Sequence, residues 1–213
     1  MRFSLATRTR FLRGTYEHRI AELFGREVRP GEVFLDAGAH FGYYTLLAAK
    51  AGARVHAFEP HAANLKFLAA HVRWNGLGDH VTIHASALGA ADGNAEFGVG
   101  RGSGSRSLGA GQGAVEVRSI DSLVASGACE PPDWMKIDVQ GAEDDVLAGA
   151  SETLRNKPCS IACAVHGHVA MDECTARLRD LGYTLLRAKE KSVILAFGPG
   201  RAVPDVDVAS LDM

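Results

Sequence analysis

The stretch Val33-Phe-Leu-Asp-Ala-Gly-Ala-His-Phe-Gly42 constrains this chain more than any other. A short apolar run ends in Asp36, and a turn containing Gly38 and Gly42 then opens a helix. Glu59 closes the next apolar run, about twenty residues after the first glycine. A βαβ unit holds a nucleoside in this way: glycine lets the backbone approach the ligand, and the second acid takes the ribose hydroxyls.

From Val33 onward, apolar runs alternate with helical patterns, as in parallel βαβ construction. The strand candidates are Val33 to Asp36, Arg54 to Glu59, Val81 to Ala85, Trp134 to Asp138 and Ser160 to His166. Helical spacing places Leu65, Leu68, Ala69 and Val72 on one face of Asn64 to Trp74. It does likewise for Val146, Leu147, Ala150 and Leu154 over Ala142 to Leu154, and for Met171 to Leu181 with Gly182 as the stop. Two last runs, Thr184 to Arg187 and Ser192 to Phe197, read as a closing hairpin that adds an antiparallel edge. The expected fold is a single doubly wound, mostly parallel α/β sheet. A hydrophobic fraction of 46% in 213 residues is enough to cover both sheet faces. The domain reading is an N-terminal helical arm or lid over 1–30, the ligand-binding domain over 31–200, and a tail over 201–213.

Charge and cysteine usage remove several function classes. Lys plus Arg number 23 against 25 Asp plus Glu, so nucleic acid is not an expected partner. No apolar run approaches a membrane span. Cys129, Cys159, Cys163 and Cys174 form no CxxC pair, as expected of reduced thiols in a cytoplasmic protein. Arg2, Arg8, Arg10 and Arg13 precede the first acid, Glu17, a composition shared with targeting presequences. A solvated arm is the preferred reading. The glycine-rich segment Gly98 to Gly113 is either a plain loop or a lid offering Arg101 and Arg106 to a substrate.

Parallel sheets bind ligands at the carboxyl ends of their strands. Asp36, Glu59, Ser86, Asp138 and His166 each end or closely follow a different strand candidate, so all five are expected on one sheet edge. The turn reads Asp36-x-Gly38-x-x-x-Gly42 rather than Gly-x-Gly-x-x-Gly. That form resembles the class I, Rossmann-like S-adenosylmethionine methyltransferases, with an NAD-dependent oxidoreductase as the runner-up.

A second block sharpens this. Lys136-Ile-Asp-Val-Gln-Gly-Ala-Glu143, together with the first turn, Phe58-Glu59-Pro60, Asn64, Asn75-Gly76-Leu77 and Gly14-Thr15-Tyr16-Glu17, resembles the FkbM-type methyltransferase family from about Gly14 to Phe197. The resemblance implies a seven-stranded class I fold and methyl transfer from S-adenosylmethionine to a hydroxyl oxygen of a sugar or natural product. It implies Gly38 and His40 along the methionyl part with Asp36 behind them, and Glu59 on the ribose diol. Pro60 and Ala87 would flank the adenine, Ser86 would meet its polar edge, Asp138 would face the methyl donor, and Tyr16 would close over the cofactor. Gly42, Tyr44, Thr45 and Asn64 complete the implied cofactor-binding set. Gln140 stands where the family usually has Glu, and Ala164 where Glu often precedes the histidine; each change removes a potential anion.

Methyl transfer to an alcohol needs a base as the C–O bond forms. His166 is the first candidate, because its ordinary pKa suits proton transfer near neutrality; Asp138 is the second. His166-Gly-His168 would place two imidazoles on one strand face and admits a divalent ion, although no metal is expected. The serious rival to an enzyme is a non-catalytic module that binds S-adenosylmethionine. An exocyclic-amine methyltransferase would carry an Asn/Asp-Pro-Pro-aromatic turn, which Asp138-Val-Gln-Gly141 is not. The acceptor, a small molecule or glycan with a hydroxyl group, is not named by any motif.

Overall fold

A computed structural model describes residues 1–3, 17–98, 111–186 and 192–205. Tyr16, Arg101, Arg106, the charged Lys189-Glu190-Lys191 stretch and residues 206–213 of the tail lie outside the described residues.

The first helix among the described residues, α1 (His18–Glu27), leads into strand β1 (Val33–Ala37), which is buried along its whole length. Then come α2 (Tyr43–Lys50), β2 (Arg54–Phe58), α3 (Ala62–Trp74) and β3 (Val81–His84). The short strands β4 (Ala87–Leu88), β5 (Gly93–Gly98) and β6 (Gly111–Arg118) precede α4 (Ile120–Ala125) and β7 (Trp134–Ile137). The chain ends with α5 (Glu143–Ala148), α6 (Ser151–Asn156), β8 (Ser160–Ala164), α7 (His168–Asp180), β9 (Thr184–Leu186) and β10 (Val193–Phe197).

Seven strands form one sheet in the order β3-β2-β1-β7-β8-β10-β9. The ladders β1–β2, β1–β7, β2–β3 and β7–β8 are parallel, whereas β10 runs antiparallel to both β8 and β9. The expected mostly parallel sheet is therefore present, and its antiparallel edge is the β9–β10 hairpin. Order reverses between β1 and β7, whose connections run to opposite sides, and this leaves a crevice at their carboxyl ends.

Alternation along the strands feeds two cores. Phe34, Val55, Trp134, Ala162 and Leu195 face α1 to α3, where Phe24 sits edge-on to Phe34 and Trp134 at 5.0 and 5.7 Å between ring centres. Leu35, Met135, Ile137, Ile161 and Cys163 face Val146, Leu147, Leu154 and Leu178 on the other side. Ile20, Leu23 and Phe24 bury one stripe of α1 in the first core.

Two sequence expectations are corrected. The helix expected over Ala142 to Leu154 is two helices, α5 and α6, broken at Gly149. A Cβ at Gly149 would stand 2.1 Å from the Gly89 carbonyl oxygen, so this stretch packs backbone to backbone. The new helix is then capped from another element: Asp121 accepts from Glu152 N–H at 3.0 Å and Thr153 N–H at 2.8 Å. The second correction concerns His166 and His168. β8 stops at Ala164, Gly167 takes φ 114°, and His168 opens α7, so the two imidazoles do not share a strand face. Around the glycine-rich segment, β6 pairs with both β4 and β5 in a separate three-stranded sheet rather than extending the large one.

Candidate functional site

The first wall of the crevice is the turn after β1. Gly38 has φ 82°, and a Cβ on it would lie 2.1 Å from the Asp138 carbonyl oxygen, so only glycine lets the β1 and β7 ends come this close. Gly38 and Ala39 N–H both donate to the Phe58 carbonyl, at 3.0 and 2.9 Å, which ties the turn to β2. Gly42, with φ 87°, opens α2 against Leu68. Asp36 lies behind the turn, 2% exposed, and accepts the Thr45 hydroxyl at 2.6 Å.

Burial pushes the Asp36 carboxyl up from 3.8 to about 6, against the opposing pulls of the Thr45 hydrogen bond and the Lys136 ammonium. A folded-state pKa above the unfolded one means that the native protein holds this proton more tightly. The associated stability is complete below about pH 4 and is lost as pH rises through about 6, by about 3 kcal/mol. Asp36→Asn keeps an acceptor for Thr45 and escapes this loss. Urea denaturation should show the variant gaining on the parent protein between pH 5 and pH 8; a constant difference across that range would refute the assignment.

The second wall comes from β2. Glu59 is 5% exposed and accepts from His40 N–H at 2.8 Å, His61 N–H at 2.9 Å and Asn64 Nδ2 at 3.2 Å. His40 takes φ 50°, a conformation that histidine tolerates better than most residues. Its N–H thereby meets the carboxylate that follows the neighbouring strand. Pro60, Ser86, Ala87 and Leu88 continue this wall past the end of β3. Between the walls lies a concave cleft, the usual shape of a small-molecule site.

The third wall is β7 and the turn into α5. Lys136 is 1% exposed, its Nζ 3.6 Å from Asp138 Oδ2 and 5.3 Å from the centre of the Tyr44 ring. Burial pulls the Lys136 pKa down, but Asp138, Glu17 and Asp36 outweigh it, and the net shift is upward. Lys136 is therefore a fixed cation rather than a base. The Tyr44 hydroxyl donates to the buried Glu17 carboxylate at the start of α1. Gln140, with φ 60°, donates from Nε2 to Asp138 Oδ1 at 2.7 Å and stands 3.1 Å from His166 Nε2. His166 Nε2 is 3.8 Å from Asp138 Oδ1, and His166 Nδ1 is 2.9 Å from Glu143 Oε1.

Of the residues singled out from sequence, Asp36, Gly38, His40, Tyr44, Glu59, Pro60, Asn64, Ser86, Ala87 and Asp138 line this one cleft. His166 is adjacent rather than lining, joined to the cleft wall through Gln140. Gly42 and Thr45 are not among the lining residues: Gly42 caps α2, and Thr45 is fully buried against Asp36. Tyr16 lies outside the described residues. Sequence reasoning assigned nothing to Lys136, Glu17 or Glu143. Lys136 carried a signal, since it lies two residues before Asp138 on the same strand face. Glu143 carried none, because its partner is 23 residues away. Among the described residues, no three His, Cys, Asp or Glu side chains are grouped to hold a metal ion, and no helix is long and apolar enough to cross a membrane.

A seven-stranded sheet of this order, with a glycine turn and an acid-lined cleft at its carboxyl ends, is the class I methyltransferase fold. The chain belongs to the FkbM methyltransferase domain family, whose model matches residues 36–185. An FkbM methyltransferase from Methylobacillus flagellatus is 20% identical with a TM-score of 0.61. The match covers 78% of this chain but only 43% of that one. A putative rRNA methylase from Clostridium thermocellum is 11% identical at a TM-score of 0.57, covering 92% of this chain and 94% of that one. A precorrin-6y C5,15-methyltransferase from Geobacter metallireducens is 14% identical at 0.55, covering 85% and 87%. At these identities the likeness is one of fold. No curated protein matches the sequence.

Proposed function

We propose that the chain transfers a methyl group from S-adenosylmethionine to a hydroxyl oxygen of a small-molecule or glycan acceptor. The residues present fit that cofactor. Gly38 lets the β1 and β7 ends meet at the cleft. Asp36, Glu59 and Asp138 set carboxylates around a cleft that would take a ligand with a sulfonium and an ammonium group. When bound, S-adenosylmethionine supplies an electrophilic methyl group on its sulfonium centre. Glu59, already held by the His40 and His61 N–H groups, would take the ribose hydroxyls on its remaining acceptor sites. Pro60, Ser86 and Ala87 would enclose the adenine, and Asp138 would face the reacting centre. The cleft walls would align donor with acceptor and exclude water, which is most of what an in-line displacement requires.

One observation carries the choice of a hydroxyl acceptor. His166 Nε2 and Asp138 Oδ1 are 3.8 Å apart beside the cleft, and the Gln140 amide lies within 3.1 Å of both. An acceptor O–H displacing that amide would meet the same two groups, with imidazole to take its proton.

Calorimetric titration tests the cofactor. S-adenosylmethionine should bind saturably, NAD should not, and Glu59→Ala should weaken binding roughly 10- to 100-fold, the worth of charge-assisted hydrogen bonds to one carboxylate. A thermal melt of the variant accompanies the titration, because Glu59 also holds the His40 turn. No binding of S-adenosylmethionine by the intact folded protein would overturn the proposal. With binding established, a panel of hydroxyl acceptors assayed for S-adenosylhomocysteine release would separate an enzyme from a binding module.

A further inference from the structure

We infer that Glu143 is a positioning residue for His166: its buried carboxylate holds the imidazole Nδ1–H and leaves Nε2 facing Gln140 and Asp138, where the acceptor hydroxyl is to be deprotonated. This inference rests on the proposed methylation of a hydroxyl. Glu143 is fully buried at the start of α5, and its Oε1 accepts from Gly141 N–H at 2.9 Å and lies 2.9 Å from His166 Nδ1. Among the described residues, its buried Oε2 has no hydrogen-bond partner. To brace the Gly141 turn alone, a neutral acceptor such as glutamine would serve, without the cost of a buried anion with one bare oxygen. A carboxylate is warranted if a positive charge forms beside it, and His166 is the group placed to acquire one.

Gln140 supports the same tautomer. Its amide donates to Asp138 Oδ1, and the same nitrogen stands 3.1 Å from His166 Nε2. An amide nitrogen has only protons to offer there, so Nε2 is the acceptor and the imidazole proton sits on Nδ1, toward Glu143. In the reaction, the acceptor O–H proton would pass to His166 Nε2 as an oxygen lone pair forms the C–O bond to the methyl carbon. The C–S bonding pair would stay on sulfur, which leaves as a neutral thioether. The imidazolium so formed is balanced by Glu143. Among the described residues, three charged groups from other parts of the chain act on the imidazole. Glu143 at the start of α5 and Asp138 in the turn before it raise its pKa, while Lys136 from β7 lowers it. The hydrogen bond to Glu143 is the largest contribution, and the net shift is upward.

Two measurements test the pair without relying on turnover alone. ¹⁵N NMR of the cofactor-free protein should show neutral His166 protonated on Nδ1, and this needs no variant; a neutral form protonated on Nε2 would overturn the inference. In Glu143→Gln the His166 titration should move to lower pH. With the cofactor and an acceptor in hand, the acidic limb of the kcat profile should move down with it. Plateau kcat should fall at least about tenfold, while S-adenosylmethionine affinity stays within about twofold. A titration and limb that stay put, whatever happens to kcat, would reduce Glu143 to a structural brace. Failure of the hydroxyl-transfer proposal would appear separately, as absent cofactor binding or absent product with the NMR result intact.

Discussion

Gly38→Ala should destabilise the protein by more than about 4 kcal/mol, or prevent folding, although it adds one methyl group. The new Cβ would lie 2.1 Å from the Asp138 carbonyl oxygen and 2.9 Å from the carbon of the same carbonyl. Both atoms belong to the backbone at the end of β7, so no side chain can swing aside. Alanine would also have to hold φ near 82°, which alone costs about 1–2 kcal/mol. Gly31→Ala is the control: Gly31 has φ 83° but nothing within 4 Å of a Cβ, so it should lose only the conformational part. Chemical denaturation of the two variants separates the terms. Equal losses would show that the β1 and β7 ends are not locked together at this point, and that the cleft floor is wider than the structure makes it. If the Gly38 variant folds, its cleft must open at the junction of the first and third walls, and cofactor affinity should fall with it.

The second large effect is expected from Lys136→Met. The ammonium is buried with Asp138 at 3.6 Å, and Asp36 and Glu17 both act on its charge. A methionine replaces its length but removes the cation that these carboxylates share. Removing one member of a buried ion pair costs about 3–5 kcal/mol. The sign of the pH dependence follows from Asp36. Its carboxyl already titrates at about 6, and the Lys136 ammonium is one of the influences holding it down, so the substitution moves it higher still. At pH 5 Asp36 is mostly protonated and loses little when Lys136 goes; at pH 8 it is charged and loses a compensating partner. The loss of stability should therefore be larger at pH 8 than at pH 5, read from urea midpoints at the two values. A loss independent of pH would mean that Lys136 acts through Asp138 and Glu17 and not through Asp36; no loss at all would mean that it only fills space.

These two positions also show how legible the site was. Gly38 could be read from sequence because a glycine after an acid-ended strand has a local meaning: the turn demands a backbone that other residues strain to adopt. Glu59, Ser86 and Asp138 were legible because parallel strands deliver their carboxyl ends to one edge, which makes order along the chain a guide to position in space. Lys136 was visible but unassigned, since a lysine inside an apolar run does not announce which anions surround it. The helix break at Gly149 escaped because its cause is the Gly89 backbone, sixty residues away, together with the Asp121 cap. The His166-Gly-His168 pair was misread because a period-2 pattern looks the same whether the strand continues or a glycine with φ 114° ends it.

The amino-acid sequence by itself determined the βαβ frame, the two-sided burial of the central strands and the ligand turn. Periodicity, strand-ending acids and obligatory glycines act over a few residues and survive being read one at a time. Only the tertiary structure decided which charges meet. Glu17, Tyr44, Lys136 and Asp36 come from α1, α2, β7 and β1, and Glu143 reaches His166 across 23 residues of chain. Such pairings exist only once the sheet order β2-β1-β7-β8 has brought those ends side by side. Their energies depend on the exclusion of water there, which no local stretch of sequence can express.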